Sequence, residues 1–121
     1  DLYVSPSRRV AKVVERLARS RGIPFLLSES DVAQLCFANC FYCGSQPVGK
    51  LHRSASTSPI MYNGIDRVDS SIPYVRGNCV TACKFCNWAK GEMTVREFAS
   101  LGKGYIKTCQ TGGIVENQDI L

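Results

Sequence analysis

Apolar positions near the start of the chain repeat with helical spacing: Val10, Val13, Val14, Leu17 and Ala18 fall at i, i+3, i+4, i+7 and i+8. Ser5-Pro6 supplies an N-cap and a first helical residue whose missing N–H would be unpaired anyway. Gly22 and Pro24 close the helix. Ser28 and Asp31 make a capping box for a second, short helix with Val32, Leu35 and Cys36 on one side. Residues 45–59, rich in Ser, Gly and Pro, predict a loop. From Ile60 to Asp69 the chain is strand-like on either side of Asn63-Gly64, Ser70-Ser71 and Pro73 predict a turn, and a return segment runs to Asn78-Cys79-Val80. A short helix is expected from about Cys83 to Gly91. Thr94 and Glu97 form another capping box, opening a helix with Val95, Phe98 and Leu101 inward. Beyond Gly102 the pattern fades towards a loose tail.

Composition narrows the class. At 121 residues with a 45% hydrophobic fraction, the chain is expected to fold as one domain. No apolar stretch approaches the roughly 18 residues a membrane span needs, so no membrane role is expected. The chain starts at Asp1 rather than Met, as a processed protein or part of a longer one does, and a removed targeting segment is compatible with this. The net charge is +5, which favours an acidic partner. Charge is also concentrated: the first helix carries Arg8, Arg9, Lys12, Arg16, Arg19 and Arg21 against Glu15 alone. A solvated face and a phosphate-contacting face explain this equally well, and nucleic acid is the acidic partner such a helix suits.

Seven cysteines demand an account. A secreted disulfide scaffold would pair them evenly, which an odd number prevents, whereas Cys40-x-x-Cys43 and Cys83-x-x-Cys86 favour metal in an intracellular, reducing compartment, an organelle included if a targeting segment was removed. Two thiolates two residues apart can meet one ion, and Gly44 after the first pair lets backbone N–H groups approach sulfur. Four thiolates satisfy tetrahedral zinc and leave no open position, so the expected role is structural. Thirty-nine residues separate Cys43 from Cys83, so the metal would clamp the base of an inserted hairpin. A redox pair would need a thioredoxin-like βαβ context, which the pattern lacks. Cys36 reads as a small core residue, and Cys79 and Cys109 as free thiols.

The run NGIDRVDSSIPYVRGNCVTACKFCNWAKGEMT, from Asn63 to Thr94, resembles the HNH endonucleases, in particular their small phage-type and homing-type members. The likeness spans about residues 24–101. It implies an α+β fold in which a ββα-metal (His-Me finger) motif is inserted in the four-cysteine zinc site, with a basic N-terminal helix before it and a helix after it. In domain terms it implies a basic helix and linker over 1–27, a zinc-binding HNH-like domain over 28–108, and a tail over 109–121. Position by position, Asp66 matches the carboxylate that binds a divalent metal, Asn78 the asparagine that tethers the inter-strand loop, and Asn87 the second metal ligand. These are the catalytic candidates the resemblance implies. Mg²⁺ or Mn²⁺ suits an oxygen set of this kind, because a hard cation stabilises charge building on a scissile phosphate. Lys90 matches a basic residue near the phosphate, and with Arg67 and Lys84 extends the cationic surface of the first helix.

The chain departs from the family at Arg67, where a histidine general base is usual. A guanidinium stays protonated and cannot accept a proton. Asp69, two residues on, and His52, the only histidine, are the alternative bases. An ion-paired turn of Asp66, Arg67 and Asp69 is the plain structural alternative. Two functions therefore compete: a metal-dependent phosphodiesterase acting on DNA more than RNA, and an inactive HNH-derived module that binds nucleic acid within a larger ribonucleoprotein or transcription assembly. A third is a structural zinc domain docking to protein through residues such as Trp88, although semi-buried packing beside the zinc is the simpler expectation for that residue.

Overall fold

The computed structural model describes residues 4–54 and 56–110. Helix α1, Pro6–Ser20, starts as expected: the Ser5 hydroxyl accepts from the Arg8 amide at 3.2 Å. It ends where Gly22 adopts φ +70°, letting the Gly22 and Ile23 amides reach back to the Arg19 and Ala18 carbonyls at 2.9 and 3.0 Å. Helix α2, Glu29–Cys36, carries the complete capping box, Ser28 and Asp31 each accepting the other's amide proton.

Four short strands follow. Strand β1, Gly49–Leu51, pairs antiparallel with β2, Ile60–Tyr62, and β3, Gly64–Arg67, pairs antiparallel with β4, Cys79–Ala82. The two hairpins form separate two-stranded sheets. Helix α3, Lys84–Lys90, packs back on β3 and β4, and α4, Val95–Gln110, follows. The sequence β3, β4, α3 is a ββα element.

One apolar core joins these pieces. Val10 and Ala18 of α1, Val32, Leu35 and Cys36 of α2, and Ile60, Ile65, Tyr74 and Cys79 from the strands and their loop are all buried together. α1 and α2 thus cover one side of the ββα element, and the polar residues at its corners are satisfied individually. Asn63 is 1% exposed; its amide nitrogen donates to the Ala38 carbonyl at 3.0 Å and its oxygen accepts from the Val48 amide at 3.3 Å. Thr81 donates to the Leu35 carbonyl at 2.6 Å, tying β4 to the end of α2.

The structure differs from the sequence expectations in three places. The segment 45–59, expected as loop, contains β1; Gly49 sits where a Cβ would lie 2.8 Å from the Tyr62 carbonyl oxygen, so absence of a side chain permits that pairing. α4 runs past Gly102 to Gln110 instead of fading. Its inward face is narrower than expected: Val95 and Phe98 are half-buried, but Leu101 is 61% exposed, because α4 has left the core by that turn. Residues 111–121 of the expected tail, and the side chain of Cys109, lie outside the described residues.

Replacing Asn63 by Leu keeps the branched outline of the side chain, with some added bulk, but strands the Val48 N–H and the Ala38 carbonyl. We expect a loss of about 2–4 kcal/mol in urea unfolding. An unchanged midpoint would show that these bonds do not hold the corner.

Candidate functional site

The two cysteine pairs converge. Cys40 and Cys43 lie on the turn that follows α2, where the Gly44 amide donates to the Cys40 carbonyl at 2.9 Å and Gly44 takes φ +76°. Gly44 is therefore needed for its left-handed backbone; its own N–H goes to the Cys40 carbonyl, and the backbone N–H of the next residue, Ser45, bonds to the Cys43 sulfur. The Phe41 amide donates to the Thr81 carbonyl at 2.8 Å, docking this turn on β4. Cys83 is the N-cap of α3, its sulfur accepting from the Cys86 amide at 3.4 Å. All four sulfurs lie within 4.8 Å of one another, with Cys43 and Cys83 3.8 Å apart. A tetrahedron with metal–sulfur bonds of ~2.3 Å has edges of roughly 3.8 Å, so the cluster can hold a metal ion. Among the described residues no other group of three or more Cys, His, Asp or Glu side chains is brought together in this way. Cys36 and Cys79 stand apart from the cluster, and burial pushes their thiols up to about 12 and about 11. They are packing residues with little thiolate at neutral pH.

The ββα element places Asp66 and Asn87 on one cleft of about 640 Å³, whose walls also include Arg21, Arg67, Lys84 and Trp88. Asp66 is 4% exposed and fully engaged. Lys90 Nζ lies 3.1 and 3.2 Å from its two oxygens and 3.4 Å from the Arg67 carbonyl, and the Tyr42 hydroxyl donates to it at 2.5 Å. Lys90, expected to face phosphate, has no exposed side-chain surface; it is the counter-ion of Asp66. Removing either charge of such a pair strands the other, at a cost of about 3–5 kcal/mol. Burial, and then the Asp66 carboxylate, push the Tyr42 hydroxyl well above the usual phenol range. Sequence reasoning passed over Tyr42, which lies between the first two cysteines and reaches Asp66 only through the fold.

Asn87 anchors its amide nitrogen on the Ile65 carbonyl at 3.3 Å, which orients its oxygen separately. Asn78 donates to the Asp69, Ile72 and Pro73 carbonyls at 3.0, 3.2 and 3.2 Å and accepts from the Asp69 amide at 2.9 Å. It thereby ties the β3–β4 loop. Arg67 spends Nη1 on the Ser70 and Ile72 carbonyls, at 2.6 and 3.1 Å, and lays its guanidinium over Tyr74 at 5.2 Å. The expected ion-paired turn of Asp66, Arg67 and Asp69 is not what forms, since Asp66 pairs with Lys90.

Neither alternative base reaches Asp66's cleft. The Asp69 carboxylate accepts from the Ser71 hydroxyl and amide at 2.6 and 2.9 Å, and those bonds hold it below the usual carboxylate range, which makes it a weaker base. His52 lines a different groove, of about 320 Å³, with Arg9, Lys12, Arg16 and Leu51. That groove runs along α1, whose Arg8, Lys12, Arg16 and Arg19 are exposed. Arg19 pairs with Glu15 at 3.2 Å, while buried Nε and Nη2 of Arg9 have no hydrogen-bond partner. Arg21 carries the cationic surface of α1 to the cleft's wall. Trp88, expected to be semi-buried beside the metal site, is 87% exposed, because α3 turns the opposite face towards the hairpin.

Among the described residues no helix is long and apolar enough to cross a membrane. No known protein-family profile matches the chain. Over 82 residues, 68% of the chain, the sequence is 32% identical to an uncharacterized protein of Acanthamoeba polyphaga mimivirus, of whose length the matched stretch spans 13%. The structure is similar to that of the rare-cutting HNH restriction endonuclease PacI, with a TM-score of 0.61 and 23% identity over 90% of this chain and 82% of that one. The ββα element, the four-cysteine cluster and this likeness together show that the chain has an α+β fold of the HNH-endonuclease type.

Proposed function

We propose that the chain binds DNA along α1 and the Asp66 cleft and acts there as a divalent-metal-dependent phosphodiesterase, with a structural zinc at the four cysteines. The observation that carries this reading is the placement of Asp66 and Asn87 on one cationic cleft by an HNH-type fold. DNA is the preferred substrate because the similar restriction endonuclease is described as perturbing DNA.

The oxygens that would hold a hard cation are those of the Asp66 carboxylate, which would have to exchange Lys90 and Tyr42 for it, and the amide oxygen of Asn87. Such a cation, when bound, supplies Lewis-acid stabilisation of charge on a phosphoryl oxygen. The chain's own residues do the rest. Arg21 and Lys84 draw the phosphate backbone to the cleft, and their attraction weakens as salt rises. Asn78 and Arg67 fix the inter-strand loop so that Asp66 stays at the cleft floor. Lys90, buried beneath the cleft, neutralises Asp66 and holds its carboxylate in place. Tyr42 is the hydroxyl nearest the acid and holds its proton on Asp66.

A second reading, binding without cleavage, is favoured by one observation: the buried Lys90 ammonium already occupies Asp66 as an internal cation. A larger protein–nucleic-acid assembly would suit that reading.

Supercoiled plasmid incubated with zinc-loaded protein and Mg²⁺ or Mn²⁺ separates the two. Nicking is expected, and Asp66→Ala should lower it by on the order of 100-fold or more. Asn87→Ala leaves the buried pair intact and should also reduce nicking. Undiminished cleavage in both variants would remove the phosphodiesterase reading, and no cleavage by the parent protein would favour the binding reading.

For the zinc, Cys83→Ser should lower metal content from one ion per chain and, because Cys83 also caps α3, loosen Asn87's helix at the same time. Metal analysis and amide exchange over residues 84–90 report the two effects. Loss of zinc with α3 unchanged in exchange would contradict this role.

A further inference from the structure

Trp88 is the most exposed of the large apolar side chains described, at 87%, so the fold gains little from it. It nonetheless stands at a wall of the cleft that holds Asp66. Lys84, one helical turn before it on α3, lines the same cleft, as do Asn87 and, from other elements, Arg21 and Arg67. Three cations therefore line the same cleft as the indole, Arg21 and Lys84 exposed and Arg67 half-buried. The carboxylates on these walls are Glu92 and Asp66, and Asp66 is already balanced by Lys90. An exposed flat aromatic surface in a cleft that also carries cations is what a strand of nucleic acid with an accessible base face needs: backbone on the charges, base on the indole. In a regular duplex the base faces are covered by their neighbours, so the indole can reach one only where the strand is single or locally opened. The cleft, at about 640 Å³, lies within the roughly 300–1,000 Å³ range of small-ligand pockets, so an extruded nucleotide fits.

Resting on the nucleic-acid reading above, we propose that Trp88 stacks on an unpaired nucleobase and makes this site selective for single-stranded or locally opened DNA. The stack places the adjoining phosphodiester beside Lys84 and Asn87, towards Asp66. Trp88 is thus a binding and positioning residue of the site. A protein partner would meet the same cleft cations, but would need acidic side chains around an apolar pocket to match them.

Trp88 is the chain's single tryptophan, so its fluorescence reports the contact without a label. The full zinc-loaded chain is titrated, without added Mg²⁺, with a short single-stranded oligodeoxynucleotide and with the matching duplex, while anisotropy of a label on the DNA measures binding independently. The expected result is strong quenching by the single strand and weaker quenching by the duplex. Trp88→Ala should lower single-strand affinity by on the order of 10-fold, with Trp88→Phe restoring most of it and duplex affinity changing by less than about 2-fold. Because the side chain is exposed, neither variant should alter folding. Single-strand binding by anisotropy with unquenched Trp88, or with equal affinity for Trp88→Ala, overturns the stacking role and leaves the nucleic-acid reading standing. Absence of binding to either DNA overturns both. Emission already shielded in the free protein and deepening with protein concentration overturns it in favour of a protein contact at Trp88.

Discussion

Four sulfurs drawn from two distant turns to one point are the constraint on which the rest of this structure depends. The elements they join are too small to persist alone: β3 and β4 have four residues each and α3 has seven. An isolated two-stranded hairpin is marginal in water, and a helix of two turns is more so. The turn carrying Cys40 and Cys43 is docked on β4 through Phe41, while Cys83 begins α3, so a metal ion held by the four sulfurs would fix the hairpin, the helix and their mutual angle. The apolar core formed with α1 and α2 closes the opposite side, and Asn63 and Thr81 tie the two sides together.

That frame makes a buried ion pair tolerable. Asp66 and Lys90 sit out of water with well-placed partners, and the pair holds the cleft floor in one arrangement. Burying two charges is costly even when they are matched. A fold stabilised only by packing would gain from replacing them with apolar residues. The pair sits beneath a cleft whose walls carry Asn87 and the exposed Arg21 and Lys84. The same geometry explains why Arg67 suits its position: it braces the loop that Asn78 also holds.

Much of this was legible in the sequence because the signals are local. Helix caps at Ser5, Ser28 and Thr94 lie within four residues of the groups they bond, and each pair of cysteines lies within one turn. The motif residues Asp66, Asn78 and Asn87 stood out through their resemblance to a known pattern. What was hidden depends on contacts between distant segments. β1 is three residues in a stretch rich in Ser and Pro, made a strand only by pairing with β2. Lys90 looked like a surface cation until α3 turned it inward on Asp66. Tyr42 and Asp66 are twenty-four residues apart and meet only once the chain has folded. Trp88 and Leu101 were expected to pack because they are apolar, but the small core has no room on their side.

The central claim is that the Asp66–Asn87 cleft, with Lys90 as its resident cation, is the place where a divalent metal and a phosphodiester meet. Backbone amide spectra of the zinc-loaded protein, recorded during a substoichiometric Mn²⁺ titration with an oligonucleotide present, test it most directly through paramagnetic broadening. The account predicts that signals of residues 65–67, Asn87 and Lys90 broaden first. Broadening centred on exposed carboxylates such as Asp69, Glu92 or Glu97, with Asp66 and Asn87 unaffected, would contradict it.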